Sequence, residues 1–154
     1  MIQRIQTIYL LLTAILLGVA MCYPIGVFVG ADGVSTSVFT PLHLVLADGT
    51  SQLTIGMIGL LLVALIVNVS AIFLYKNRML QIRVTNFSSL IIIGYYIAAV
   101  VFVFLFKSDL EASFRPAVAC CFPLIGIILN YLAFRAIMRD EILVRGSDRL
   151  RKTA

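Results

Sequence analysis

Hydrophobic and polar positions along this chain do not alternate at short period. They segregate into blocks. Residues 5–29, 53–75, 87–106 and 117–134 contain no Asp, Glu, Lys or Arg. Each block is close to the 20 or so apolar residues that a helix needs to cross the hydrocarbon of a bilayer. No water is available there to bond the backbone, so a spanning segment must satisfy its own N–H and C=O groups and reads as a helix. The fourth block continues to about residue 138, because Arg135 near its end can lift its guanidinium to the headgroups. The pattern predicts an all-α transmembrane four-helix bundle over residues 1–138. Its helices are 5–29, 53–75, 87–106 and 117–138, its outer loop is 30–52, and a basic cytoplasmic tail follows at 139–154.

Local signals refine the ends. Pro116 suits the start of the fourth helix, where its missing N–H costs nothing. Thr85 and Asn86 are N-cap types ahead of the third helix, and Lys76-Asn77-Arg78 closes the second. Ser108-Asp109-Leu110-Glu111 has the form of a capping box and predicts a short helical turn between helices three and four. The first block is longer than the core of a signal peptide, and Met21 stands where lipid attachment at Cys22 wants a small residue. It reads as an uncleaved helix.

Composition narrows the class. The chain is 62% hydrophobic and 12% charged, against roughly half and a quarter for a soluble domain. Blocks this apolar cannot be hidden in a core of this size, which excludes a soluble enzyme, a disordered chain and a disulfide scaffold. The net charge of +5 is not a nucleic-acid signature, since no basic patch is interleaved with aromatics. It fits the membrane rule instead. Ten of the 12 Lys and Arg flank the N-terminus, the second connection and the C-terminus; only Lys107 and Arg115 fall on the other side. Both termini are therefore expected in the cytoplasm.

In lipid, helices associate through close backbone approach and polar contacts, not hydrophobicity. Ala14, Gly18, Cys22 and Gly26 recur every four residues on the first predicted helix and form a candidate packing stripe. At about 1.5 Å per residue, Thr13, Asn68, Tyr95, Tyr96 and Asn130 each lie roughly 10–14 Å in from the cytoplasmic ends of their helices. That predicts a buried polar layer, with Asn68 and Asn130 turned inward because an unbonded amide in lipid is costly. The layer reads first as structural glue, and second as part of a substrate or ion path. No ionisable residue accompanies the amides, which favours glue.

The outer loop contains two alternating β-favouring runs, 34–39 and 42–46, with turn signals at Asp32-Gly33 and Asp48-Gly49. A short β-hairpin or compact cap is expected there. His43, the single histidine, has no second ligand at metal-site spacing and reads as a solvated loop residue. Cys22, Cys120 and Cys121 all fall toward the outer ends of their helices; a disulfide from Cys22 to one of the pair is conceivable, and small apolar behaviour is the simpler expectation. Asn68-Val69-Ser70 and Asn86-Phe87-Ser88 match the glycosylation pattern by chance, since one is in a span and the other at its cytoplasmic edge. No phosphate loop, nucleophile elbow or HExxH is present. No enzyme activity, cofactor or metal is expected.

The tail carries Arg135, Arg139, Arg145, Arg149 and Arg151, which suit anionic headgroups or a docking partner. Asp140-Glu141 ahead of Arg145 reads as a helix-surface charge pair. The helix is expected to reach about Val144 and break at Gly146.

Two segments carry a resemblance. One is Met1-Ile2-Gln3-Arg4-Ile5-Gln6-Thr7 running into Tyr9-Leu10-Leu11-Leu12. The other is Ile128-Leu129-Asn130-Tyr131-Leu132-Ala133, Arg135-Ala136-Ile137, Asp140-Glu141, Leu143-Val144-Arg145 and Ser147-Asp148-Arg149-Leu150-Arg151. Together they resemble a family of small four-helix membrane proteins of Gram-negative bacteria, catalogued as domain of unknown function 4293. The resemblance implies an inner-membrane location and four helices, and brings no activity or catalytic residue. The expected function is a non-catalytic accessory or scaffold subunit of the inner membrane, in contact with lipid and with another membrane protein or a second copy. The alternative is a small transporter or lipid-binding protein that uses the polar layer.

Overall fold

The computed structural model describes residues 2–31 and 33–153; the side chains of residues 2–4, 110, 145 and 147–153 lie outside that description. The order is α1 (Ile2–Cys22), β1 (Gly26–Val29), β2 (Thr36–Phe39), β3 (His43–Val45), β4 (Ser51–Leu53), α2 (Ile55–Phe73), α3 (Arg78–Leu110), β5 (Ser113–Pro116) and α4 (Cys121–Thr153). The structure is mostly helical. Among the described residues, four helical stretches are long and apolar enough to cross a membrane: Ile5–Cys22, Ile55–Lys76, Arg78–Asp109 and Val118–Val144.

Each helix buries a stripe spaced alternately four and three residues apart, the spacing that keeps one face of a helix against its neighbours. On α1 the stripe is Gln6, Leu10, Thr13, Leu17 and Ala20; on α2 it is Met57, Leu61, Ala64, Asn68 and Ala71. On α3 it runs through Thr85, Ser88, Ile92, Tyr95 and Ala99, and on α4 through Gly126, Asn130, Ala133 and Ile137. The opposite faces expose Ile8, Ile15, Ile66, Ile97 and Ile128. That is the inverse of a soluble helix, whose outer face is polar. Helix α1 packs on α4 and α2, and α3 packs on α2 and α4.

The all-α expectation is corrected. Among the described residues, five antiparallel strands form one sheet in the order β4-β3-β2-β1-β5. The expected hairpin is present: β2 pairs β3 with Val38 opposite Val45 and Phe39 opposite Leu44. Gly33 and Gly49 take the positive φ their turns require, 68° and 79°. The sheet is larger than a hairpin because β1 and β5 join it, with Gly26 opposite Pro116 and Phe28 opposite Phe114. Helix α1 therefore ends at Cys22, not at residue 29. Pro24 has no N–H to continue the ladder and disfavours helix in the residue before it. The β-favouring run Gly26–Val29 then pairs on both sides. Its inward face puts Phe28 5.9 Å from Phe39, 5.0 Å from Phe114 and 6.2 Å from Phe106 between ring centroids, which docks the sheet on the end of α3.

Other ends shift for similar reasons. Helix α3 starts at Arg78 after a short 3-10 turn, Leu74–Lys76, so Thr85 and Asn86 sit inside it and Asn77 takes the cap position. A helix need not begin where the hydrocarbon does. Ser108-Asp109-Leu110-Glu111 is the C-terminal end of α3 and starts no new turn; Glu111 closes it in the left-handed region at φ 46°. Pro116 ends the edge strand β5, where a missing N–H leaves no ladder bond broken. Pro123 instead occupies the first turn of α4. Helix α4 runs through Gly146 without a break. All three cysteines are free thiols, so no disulfide joins Cys22 to Cys120 or Cys121.

Candidate functional site

The buried stripes carry most of their polar residues toward the end of the molecule opposite the sheet. Gln6, Thr13, Asn68, Gln81, Thr85, Ser88 and Asn130 are each at most 4% exposed. Asn68 on α2 donates from Nδ2 to Oδ1 of Asn130 on α4 at 2.9 Å. Asn130 Nδ2 reaches Ser88 Oγ on α3 at 3.4 Å, and Ser88 Oγ donates to the carbonyl of Ala64 on α2, also at 3.4 Å. One short, well-formed bond and two long ones thus tie α2, α3 and α4. Two oxygens in this region, Asn68 Oδ1 and Thr85 Oγ1, are buried with no hydrogen-bond partner among the described residues. A buried unpaired polar atom costs about 1–3 kcal/mol, so the network holds less than its full complement of bonds.

Ala64, Ala71, Ala133 and Gly126 flank these residues on the same faces. Small side chains let the backbones approach closely enough for short amides to meet. At Gly126 a Cβ would lie 3.3 Å from Thr13 Cγ2, which marks the close approach of α1 and α4. Toward the basic end, Gln6 Nε2 donates to the Ala136 carbonyl at 3.2 Å. There too Arg78 Nη2 stands 3.2 Å from Asp140 Oδ2, joining the start of α3 to α4.

Of the five residues expected in one layer, the structure brings Asn68 and Asn130 into contact. Thr13 is buried beside Gly126 but donates within its own helix, to the Tyr9 carbonyl at 2.9 Å. Tyr95 and Tyr96 lie elsewhere: their rings pack edge to face at 5.6 Å, and Tyr96 donates to the Cys120 carbonyl near the sheet. A depth counted from residue 87 puts them level with the amides. Counted from Arg78, where α3 begins, these tyrosines lie about 25 Å along the helix, well past Asn68. Ser88, Thr85, Gln81 and Gln6 join Asn68 and Asn130 among the buried polar residues; the four-and-three spacing within their own helices, from Thr13 back to Gln6 and from Tyr95 back through Ser88 and Thr85 to Gln81, is the sequence signal for them.

The proposed stripe on α1 is not a close-packing face within the chain. Gly18 would accept a Cβ with nothing within 4 Å. Ala14 and Gly18 are partly exposed, Cys22 is exposed, and Gly26 is in β1. Of the expected headgroup contacts, Arg135 and Arg139 are exposed on α4. The side chains of Arg145, Arg149 and Arg151 lie outside the described residues, and so does the expected pairing of Arg145 with Asp140-Glu141. His43 is half-buried in β3, and among the described residues no three His, Cys, Asp or Glu side chains gather as a metal site.

Four membrane-length helices with apolar outer faces, a polar interior at one end and a sheet at the other define a helical membrane-protein class. The family model described as Domain of unknown function (DUF4293) matches residues 2–150, nearly the whole chain, and the chain belongs to that family. No curated protein matches it significantly.

Proposed function

We propose that this chain is a non-catalytic accessory or scaffold protein of the bacterial inner membrane, with both termini in the cytoplasm and the sheet on the outer face. The observation that carries the reading is the Asn68–Asn130 bond, made where both side chains have no exposure. A transport path would keep such amides open to a cavity or to water. Here their donors are spent on neighbouring helices. Between this level and the sheet lie Leu17, Leu61 and Ile92, all fully buried, an apolar plug that a solute or ion could cross only at high desolvation cost. The charge asymmetry supports the orientation: the sheet end holds Lys107 and Arg115, and the opposite end holds the other ten basic residues.

Crosslinking in native membranes followed by purification tests the proposal. A membrane partner captured in fixed stoichiometry is the expected result. A chain recovered alone, together with solute or ion flux in reconstituted vesicles that is lost in Asn130→Leu, would overturn it in favour of transport. Orientation is tested separately, by labelling Asp48→Cys in a background lacking Cys22, Cys120 and Cys121. An impermeant maleimide added outside the inner membrane should label position 48 and leave a cysteine placed at Lys152 unlabelled; the reverse pattern inverts the topology.

A further inference from the structure

We propose that the groove between α1 and α4 at the basic end is a binding site for one anionic glycerophospholipid of the surrounding bilayer. The groove encloses about 380 Å³ and is lined by Ile5, Tyr9, Leu132, Arg135, Ala136 and Arg139 among others. Tyr9 and Leu132 form an aromatic and aliphatic wall on the side of the membrane interior, Ile5 stands level with the arginines, and Leu143 lies beyond them. Arg135 and Arg139 stand one helical turn apart on the same face of α4, where side chains four apart are neighbours. Neither makes an ion pair among the described residues.

Two like charges at that spacing repel each other unless an anion lies between them. Arg135 also lies toward the basic end of the candidate span Val118–Val144, where a guanidinium that reaches up to the headgroups is better placed against an anion than alone. A phosphodiester answers both problems: planar guanidiniums fork onto its oxygens, and the acyl chain of the same molecule runs along Tyr9 and Leu132. A free phosphate would leave the apolar wall unused. A zwitterionic lipid would bring its own cation against the arginine pair.

The larger groove on the other side of α4, about 590 Å³, differs in the feature that matters. It is lined by Lys76 and Arg83 but also by the Glu141 carboxylate, and its Arg78 is committed to Asp140. Met79, Leu80 and Val144 give it an apolar wall as well, so it is an internal control that differs in its carboxylate.

The test is native mass spectrometry of the purified full chain in detergent, titrated with phosphatidylglycerol or phosphatidylcholine. One phosphatidylglycerol should be retained about tenfold more tightly than phosphatidylcholine. Arg135→Gln with Arg139→Gln should weaken phosphatidylglycerol between about tenfold and thirtyfold, as expected for two basic residues near a headgroup. Lys76→Gln with Arg83→Gln removes the same charge and should leave binding unchanged. Equal losses from the two pairs, or no preference for phosphatidylglycerol, would overturn the proposal, as would displacement of the lipid by millimolar inorganic phosphate. If the glutamine pair fails to fold by circular dichroism, Arg135→Lys with Arg139→Lys decides: it keeps the charge and loses the fork. A loss of threefold or more supports the site, and wild-type binding overturns it.

Discussion

Asn68 and Asn130, 62 residues apart in sequence, meet amide to amide at 2.9 Å with no solvent contact on either side. The bond crosses from α2 to α4, while Asn130 passes its own donor on to Ser88 of α3. Removing either partner costs more than the bond alone, because the remaining amide is stranded in an apolar interior. Asn130→Ala is expected to destabilise the fold by about 1–2 kcal/mol, and Asn68→Ala by a similar amount. The double variant should lose less than the sum. Polar contacts between membrane helices couple by about 0.6 kcal/mol on average and up to about 1.7, so a double-mutant cycle by detergent-denaturant unfolding should read in that range. Additive losses would mean that the two side chains do not act as a pair.

Much of this arrangement was legible in the sequence, and the limits have physical causes. Uncharged blocks of membrane length mark helices wherever they fall, and Asn68 and Asn130 inside two of them had to be turned inward. The same reading extends a helix through any apolar run, so Gly26–Val29 was absorbed into α1 although Pro24 and the Val27-Phe28-Val29 triplet already argued for a stop and a strand. β5 was hidden for another reason: four residues containing Arg115 and Pro116 carry no strand pattern of their own and pair only because β1 is there to receive them. The misplaced tyrosines follow from one wrong boundary, since the polar start of α3 gives no hydropathy signal and every depth measured from it moves together.

Gly26 sits in a tight joint between β1 and β5. A Cβ there would lie 2.5 Å from the Phe114 ring and 2.7 Å from the Arg115 carbonyl oxygen. The ring can turn, but the carbonyl belongs to the strand paired with β1. Gly26→Ala is expected to cost about 1–3 kcal/mol by overpacking, and Gly26→Val to separate β5 from β1. Gly18 gives the contrast within the same chain, since nothing lies within 4 Å of its added Cβ. Gly18→Ala should leave stability unchanged or raise it by up to about 1 kcal/mol through helix propensity. Thermal unfolding of the two variants in one detergent checks both; a Gly26→Ala protein as stable as Gly18→Ala would contradict the β1–β5 register.

Glu111 holds a left-handed conformation, φ 46° and ψ 36°, that L side chains adopt at a cost. The turn is needed because α3 ends there and the chain must reverse into β5 within two residues. Glycine pays no steric penalty at such a helix end. Glu111→Gly is expected to stabilise the protein by about 0.5–1 kcal/mol, and Glu111→Val to destabilise it by at least as much, because β-branching disfavours the left-handed region further. Paired melting curves read the sign. Equal stability of the two variants would mean that residue 111 does not hold this conformation in the folded protein.

Arg78 and Asp140 close the basic end of the helices. Their side chains are 22% and 13% exposed, and Nη2 stands 3.2 Å from Oδ2. Nη1 adds a long contact, 3.4 Å, to the Asp140 main-chain carbonyl. Oδ2 makes no aligned hydrogen bond despite its proximity to Nη2, so the attraction is mainly charge on charge. Exposed ion pairs contribute about 0–1 kcal/mol. This one is more enclosed, and breaking it from one side leaves a half-buried charge without its counterion. Asp140→Asn and Arg78→Gln are each expected to cost about 1–2 kcal/mol. The reversed pair, Arg78→Asp with Asp140→Arg, should recover at least half of that loss, but not all of it, because the contact to the carbonyl needs a guanidinium on α3. Denaturant unfolding at low and at molar salt separates the contributions: the ion-pair part should shrink as salt screens it, and the carbonyl part should remain. If the reversed pair is no more stable than either single variant at low salt, the charges do not interact across this joint, and α3 and α4 are held there by packing alone.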